Sequence, residues 1–511
     1  MEEQDRAVDP LDALVAAVRE TRSRVIDRWE AAALIESIGY TDARVEREFG
    51  YPDTLAVAES VFARLGDDSA AQTSAVSVDR VRRHWLADLA DSIASSVVYA
   101  IPWLAMFVVE RMRPSTFRLP GSAGPALTVA LMSSLAISGG FIQAIARRGR
   151  FYIGMQQPEL AALVTTFLFR LGATAAVLAA LAGAALGWYF SLFTWPYLAL
   201  AADALVLLCL LWMTCGILTL RHEQWRTPLA FAAGGAAFVV LRAAGCDALV
   251  SQLLAAATVL AAAMAQVPSV FRLTKGDQSG VVPLPRLTIL LYRVLPYFWY
   301  GAAYFCFLFT DRFAAGVAVA DLAGEPFGLR PGYKLGMDIA LMVFLLASAG
   351  VEYANLRFVR NLEGDAAASR DPHHDDFRRR IRRRHAAALG LAAIVYILVA
   401  LIVAVTVHRL LGPPVHPVWR TAAIGSAGYL MLALGLLNSL VLFSLNRPWT
   451  PVKCLTAGLA ANIGVGFVSS HVYGSYYAVA GLVVGAAIMC VTSTVAIRRA
   501  AAHAAWTVAA G

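Results

Sequence analysis

The rhythm of hydrophobic positions changes once along the chain, near residue 89. Before that point apolar residues recur at helical spacing within a polar background. Leu14, Val15, Val18, Val25, Trp29, Ala33 and Ile35 mark one amphipathic stretch over Leu11–Ile38. Thr41-Asp42 offers the N-cap of a second helix that stops near Gly50. Pro52-Asp53 opens a third, with Leu55, Val57, Ala58, Val61 and Phe62 on its inner face. These signals predict a small helical domain over residues 1–88, ending in a linker at 66–77 and an amphipathic run, Val78–Asp91.

Beyond it the polar positions thin out and apolar runs follow one another. About 20 apolar residues cover the hydrocarbon of a bilayer at 1.5 Å per residue. Twelve runs meet that length, near 92–112, 124–146, 165–193, 196–220, 227–244, 247–267, 286–312, 334–357, 385–410, 420–445, 450–470 and 475–497. The predicted fold is an all-α polytopic membrane protein. Its twelve transmembrane helices form two six-helix bundles, 89–270 and 271–511, behind a small N-terminal helical cytoplasmic domain.

Composition agrees: of 511 residues, 59% are hydrophobic and only 15% charged, which excludes a soluble globular enzyme. The net charge of +8 does not indicate nucleic acid, because the basic residues fall between apolar runs. Arg147, Arg148 and Arg150 follow the second span, Arg221 and Arg226 the fourth, and Arg272 and Lys275 the sixth. Arg378–Arg380 and Arg382–Arg384 precede the ninth, Arg447 and Lys453 follow the tenth, and Arg498-Arg499 follow the twelfth. Connections rich in Arg and Lys stay on the cytoplasmic side, so both termini are expected in the cytoplasm and the protein in the cytoplasmic membrane. Arg111, Arg113 and Arg118 in the first loop run against that rule. The acidic start, MEEQDRAVDP, does not read as a cleavable signal, and the six cysteines read as small buried hydrophobes.

The seventh run, Arg286–Gly316, differs from an ordinary apolar span. Arg293 sits in its first half, Pro296 interrupts it, and Tyr297, Phe298, Trp299, Tyr300 and Tyr304 crowd after the break. The span closes on Asp311-Arg312. A proline within a membrane helix frees a backbone carbonyl, and charges at membrane depth turn toward the bundle interior. A kinked span with an interfacial aromatic belt is the plainer alternative. The first span echoes the seventh: Val97–Phe107 carries Pro102 and Trp103 in the pattern of Leu290–Tyr300. Proline-interrupted spans at corresponding places in two halves point to a transport site at the repeat interface.

Asp203 and Asp338 are solitary acids within apolar spans, each read either as a partner for another helix or as a cavity group. Asn438, Asn462 and His471 read as bonds between helices, and Gly183-x-x-x-Gly187 and Gly481-x-x-x-Gly485 as close-packing faces. His373-His374-Asp375-Asp376 reads as solvated loop charge. With no phosphate loop, nucleophile elbow or zinc spacing, neither catalytic, cofactor nor metal residues are expected.

Two six-helix halves with kinked first and seventh helices resemble the multidrug/oligosaccharidyl-lipid/polysaccharide (MOP) flippase superfamily. Within it the chain most resembles the Pel exopolysaccharide transporter family, PelG-like proteins. The carrying stretches are Leu295–Arg312 and Gly332–Glu363, with weaker support from Leu210–Trp225. The resemblance implies movement of a growing polysaccharide outward, beside a cytoplasmic glycosyltransferase and other exopolysaccharide synthesis proteins. The expected path residues are Pro102, Trp103, Asp203, Arg293, Pro296, Tyr297, Trp299, Tyr300, Tyr304, Asp311, Arg312 and Asp338. A multidrug or small-solute antiporter of the same architecture is the first rival, and a scaffold recruiting a synthase through residues 1–88 the second.

Overall fold

Each long apolar run becomes a helix, because a backbone without water must satisfy its own polar groups. The computed structural model describes residues 10–21, 28–65, 92, 122–155, 157–220, 226–271, 287–323, 327–368, 375–412 and 416–502. The first predicted span, with Pro102 and Trp103, lies outside the described residues apart from Ser92, as do the linker and the run Val78–Asp91. The chain separates into two units, Met1–Leu89 and Ala90–Gly511.

In the first unit the described helices are α1 (Pro10–Thr21), α2 (Arg28–Ser37), α3 (Asp42–Phe49) and α4 (54–65). Leu14, Val18, Ala31, Ile35, Val45, Val57 and Val61 close one core, whereas Trp29 and Ala33, read on the same apolar face, are exposed. Gly50 ends α3 in the left-handed conformation at φ 73°, where a side chain would be strained. Thr41 precedes α3 without a side-chain cap bond. Asp42 takes the capping role elsewhere: its Oδ1 accepts bonds of 2.8 Å from both the amide and the hydroxyl of Thr54, at the start of α4.

The second unit is an all-α polytopic membrane protein built as two bundles. The first contains α5 (Ala123–Gly154), α6 (Pro158–Tyr189), α7 (Trp195–Leu218), α8 (Arg226–Ala243) and α9 (Ala248–Phe271). The second contains α10 (Leu287–Ala323), α11 (Pro331–Ala368), α12 (Asp375–Leu411), α13 (His416–Ser444), α14 (Trp449–Val472) and α15 (Val479–Ala502). Ten helices are long and apolar enough to cross a membrane, among the described residues. The fifth predicted span is α8, which forms as a helix of 18 residues but is not one of the ten. Arginines at 226 and 242 bracket it.

Several helices outrun their predicted spans. The seventh extends from Leu287 to Ala323 rather than stopping at residue 312, because AAGVAVADLA continues an apolar helical pattern. The ninth begins at Asp375, so the arginine cluster belongs to the helix and not to a loop before it. Pro296 lies within the continuous α10.

The bundles meet along α5 and α10. At their crossing a Cβ on Gly301 would sit 2.3 Å from the Gly139 carbonyl oxygen, and one on Gly139 would sit 2.2 Å from Phe305. Only a residue without a side chain allows that approach. Within the second bundle, a Cβ on Gly481 or Gly485 would fall 2.4 or 2.5 Å from a backbone oxygen of α14, so this pair is the close-packing face expected of it. The pair in α6 divides: Gly187 packs on Leu198, whereas Gly183 faces open space.

Candidate functional site

The five aromatics after Pro296 do not form one wall. Successive helical residues are turned by about 100°, so a run of four must wrap the helix. Phe298 turns to the first bundle and meets Phe141 edge-on at 4.9 Å. Tyr297 stacks on Phe443 of α13 at 5.0 Å, with the Arg147 guanidinium 5.1 Å above its ring. Tyr300 is buried; its ring meets Phe443 edge-on and stacks with Tyr304 at 6.0 Å, while its hydroxyl faces Ser439. Trp299 points the other way, 51% exposed, with its indole N–H 3.4 Å from Thr456 Oγ1. Arg293 and Asp203 are exposed, and Pro296 is buried.

About two turns beyond Tyr304 lies a buried charge network. Asp311 and Arg312 are fully and almost fully buried. The guanidinium of Arg312 donates to Tyr429 Oη at 3.0 Å, to the Met337 carbonyl at 3.2 Å and to Asp338 Oδ1 at 3.4 Å. It also lies 3.7 Å from Asp311 Oδ1. Tyr333 donates to the other oxygen, Oδ2, at 2.8 Å. One arginine therefore holds α10, α11 and α13 together through two acids and a phenol. The expectation that Asp311-Arg312 close the span near its outer end is corrected: the helix runs on to Ala323, so the pair sits in the bundle interior. Asp338, read as solitary, is an ion partner of Arg312 across helices. An isolated ion pair of this kind would cost several kcal/mol to bury; the Tyr333 bond to Asp311 Oδ2 and the Arg312 bonds to Tyr429 and the Met337 carbonyl offset part of that cost, while Asp311 Oδ1 has no hydrogen-bond partner.

Two groups outside the predicted path residues complete the network. Tyr333 and Tyr429 have ordinary signals in the sequence, since tyrosine is common in membrane helices. The clue was their register: Tyr333 stands five residues before Asp338, and Tyr429 at the centre of α13.

A second polar connection lies toward the basic end of the same bundle. Asn438 donates to Ser493 Oγ and Thr494 Oγ1, both at 2.9 Å, so its Oδ1 is left to accept from His385 Nε2 at 2.7 Å. Asn462 donates to the Phe307 carbonyl at 3.0 Å, tying α14 to α10. These asparagines are the bonds between helices that were expected of them. His471 Nδ1 lies 2.8 Å from the Phe467 carbonyl of its own helix.

No protein-family model matches the sequence, and no curated protein matches it. Solved structures do. A MATE crystal structure in the straight conformation aligns with TM-score 0.54 and 13% identity, over 82% of this chain and 97% of that one. The outward-facing conformation of a multidrug resistance MATE family transporter of the MOP superfamily aligns with TM-score 0.53 and 14% identity, over 81% and 96%. An inward-facing conformation of such a transporter aligns with TM-score 0.50 and 14% identity, over 81% and 95%. At these identities the likeness is one of fold: the membrane unit is arranged as the MATE structures are.

Proposed function

We propose that the chain is a transporter of the MOP superfamily, and that it exports a polysaccharide of the Pel-like class across the cytoplasmic membrane by moving one bundle against the other. The observation that carries this reading is where the resembling stretches fall. Leu295–Arg312 and Gly332–Glu363 supply Asp311, Arg312, Tyr333 and Asp338, the core of the one charged network buried in the second bundle among the described residues. The two stretches that resemble PelG-like proteins thus form one structural unit. In this reading the network is the frame of a rigid bundle. Trp299, exposed beside the buried tyrosines, is the ring on which a sugar face stacks. A cytoplasmic glycosyltransferase would feed the chain, with both termini on its side of the membrane.

A second reading, a multidrug or small-solute antiporter, is favoured by the solved structures, whose descriptions name multidrug resistance. The deciding experiment is a deletion strain complemented with the wild-type gene or with Trp299→Ala, scored for surface polymer per unit of membrane-inserted protein and, in parallel, for extrusion of a fluorescent cationic dye. Polymer restored by wild type and reduced by Trp299→Ala supports export of polysaccharide. Dye extrusion without polymer export establishes the antiporter instead.

A further inference from the structure

At the seam between the bundles, the buried guanidinium of Arg148 lies near those of the exposed Arg147 and Arg293, with no acid paired to Arg148 among the described residues. Arg148 of α5 is 9% exposed, and its Nε is buried with no hydrogen-bond partner. Its electrostatic neighbours are Tyr152, Arg293, Arg147 and Tyr297, so two of the four carry its own sign and none is a carboxylate. Aromatic rings give partial cover: Arg148 stands 5.5 Å from the Phe151 ring centroid, and Arg147 5.1 Å from that of Tyr297. Glu352 of α11 interacts with Arg150, whose guanidinium also reaches the Thr219 carbonyl at 3.5 Å.

The magnitudes leave a deficit. Leaving the buried Nε of the charged Arg148 without a partner costs about 1–3 kcal/mol or more, and like charges beside it add to that. One ring face returns about 1–2 kcal/mol. An anion at the seam removes the deficit, and arginine forks match the tetrahedral oxygens of a phosphoryl group better than a single carboxylate does. The surroundings identify its source. Arg293 is exposed, and Ile289 lies one turn before it on α10, 50% exposed, with Leu291, Tyr292 and Leu295 exposed nearby. Charged forks next to an uncovered apolar helix surface suit a headgroup with acyl chains attached.

We propose that Arg147, Arg148 and Arg293 hold the phosphate of an anionic glycerophospholipid, seated where α5 meets α10 with its chains along the exposed side of α10. The lipid neutralises the seam and joins the two bundles at one end. This does not depend on which substrate is carried.

The test uses the full-length protein purified in a mild detergent, with dioleoyl-phosphatidylglycerol, dioleoyl-phosphatidylcholine or inorganic phosphate added in turn. Native mass spectrometry reads lipid occupancy and a thermal shift reads stabilisation. Phosphatidylglycerol is expected to remain bound and raise the melting temperature, while phosphatidylcholine does neither. Arg293→Gln, at an exposed position that folding tolerates, lowers occupancy about fivefold, the equivalent of about 1 kcal/mol per basic residue at an anionic headgroup. Arg148→Gln lowers it at least as much, and Arg409→Gln, at the end of α12, leaves it unchanged. Equal phosphatidylglycerol occupancy in a folded Arg147→Gln, Arg148→Gln, Arg293→Gln triple variant overturns the site. Stabilisation by inorganic phosphate with no retained lipid overturns the lipid as its source.

Discussion

The two bundles solve the same problem, burying polar groups in a membrane, in different ways. In the first, the buried hydroxyls mostly bond within their own helix: Ser138 to the Ser134 carbonyl, Thr214 to Leu210, Ser251 to Asp247. An exception is Ser134, whose hydroxyl accepts the indole N–H of Trp212 across helices at 3.2 Å. In the second, buried polar groups reach across: Arg312 to α11 and α13, Asn438 to α12 and α15, Asn462 to α10. A hydroxyl bonded to its own helix leaves neighbouring helices free to slide. A guanidinium shared by three helices fixes their register, since any slip strands a charge. The second bundle is therefore the more rigid body, and the first the one with freedom to adjust.

That contrast is most severely tested at Arg312. Arg312→Ala leaves the Asp311 carboxylate fully buried without its cation, and is expected to destabilise the bundle by about 3–5 kcal/mol. Asp311→Asn with Arg312→Gln should be milder than Arg312→Ala, because no buried charge is stranded at the centre. Detergent-resistant thermal unfolding of both variants checks the order. If the single variant is the milder one, the network is not the frame of the bundle.

Next in size is the crossing of the bundles. Gly301→Val drives a side chain into the Gly139 backbone, and overpacking of this kind costs about 1–3 kcal/mol. Transport should be lost while membrane insertion persists, whereas Gly183→Val, in open space, should leave both intact. Transport per inserted protein is the measurement.

A paired comparison follows. Asn438→Leu leaves the buried His385 without its Asn438 partner, while Ser493 and Thr494 keep their bonds to the Cys490 carbonyl, and is expected to cost about 1–3 kcal/mol. Ser138→Ala in the first bundle removes a bond to its own helix and is expected to change stability by about 0.5 kcal/mol or less. Equal effects in thermal unfolding would erase the distinction between the bundles.

The smallest effect is outside the membrane. Two bonds from Thr54 hold the Asp42 carboxyl below its usual value. A depressed folded-state pKa gives stability that is complete above the unfolded value of 3.8 and fades as pH falls through the lower folded one. Helical signal from the first unit should thus decline below about pH 4, and Asp42→Asn should flatten that decline.

How much of this was legible follows from what each signal encodes. Helices were readable because length and apolarity are local, and the described spans all occur as helices. Their ends were less so: Asp311-Arg312 looks like a terminus in sequence, since charge usually marks one, yet partners on other helices permit burial. Asn438 and Asn462 were readable as connections between helices because a membrane interior offers amides little else. The aromatics after Pro296 were grouped as one path lining because they are adjacent in sequence, and the helical period instead sends them to different faces. What no local pattern carried is convergence: Tyr333, Asp338 and Tyr429 acquire meaning only where three helices meet.

The crossing at Gly301 has a mechanical consequence. It divides α10 unequally, leaving 14 residues toward Leu287 and 22 toward Ala323, or about 21 Å and about 33 Å at helical rise. A beam resting on a pivot off its centre amplifies in one direction. For any tilt about this crossing, the Ala323 end sweeps about one and a half times the arc of the Leu287 end. Any such tilt would therefore displace the two ends of α10 unequally, with the greater displacement at Ala323.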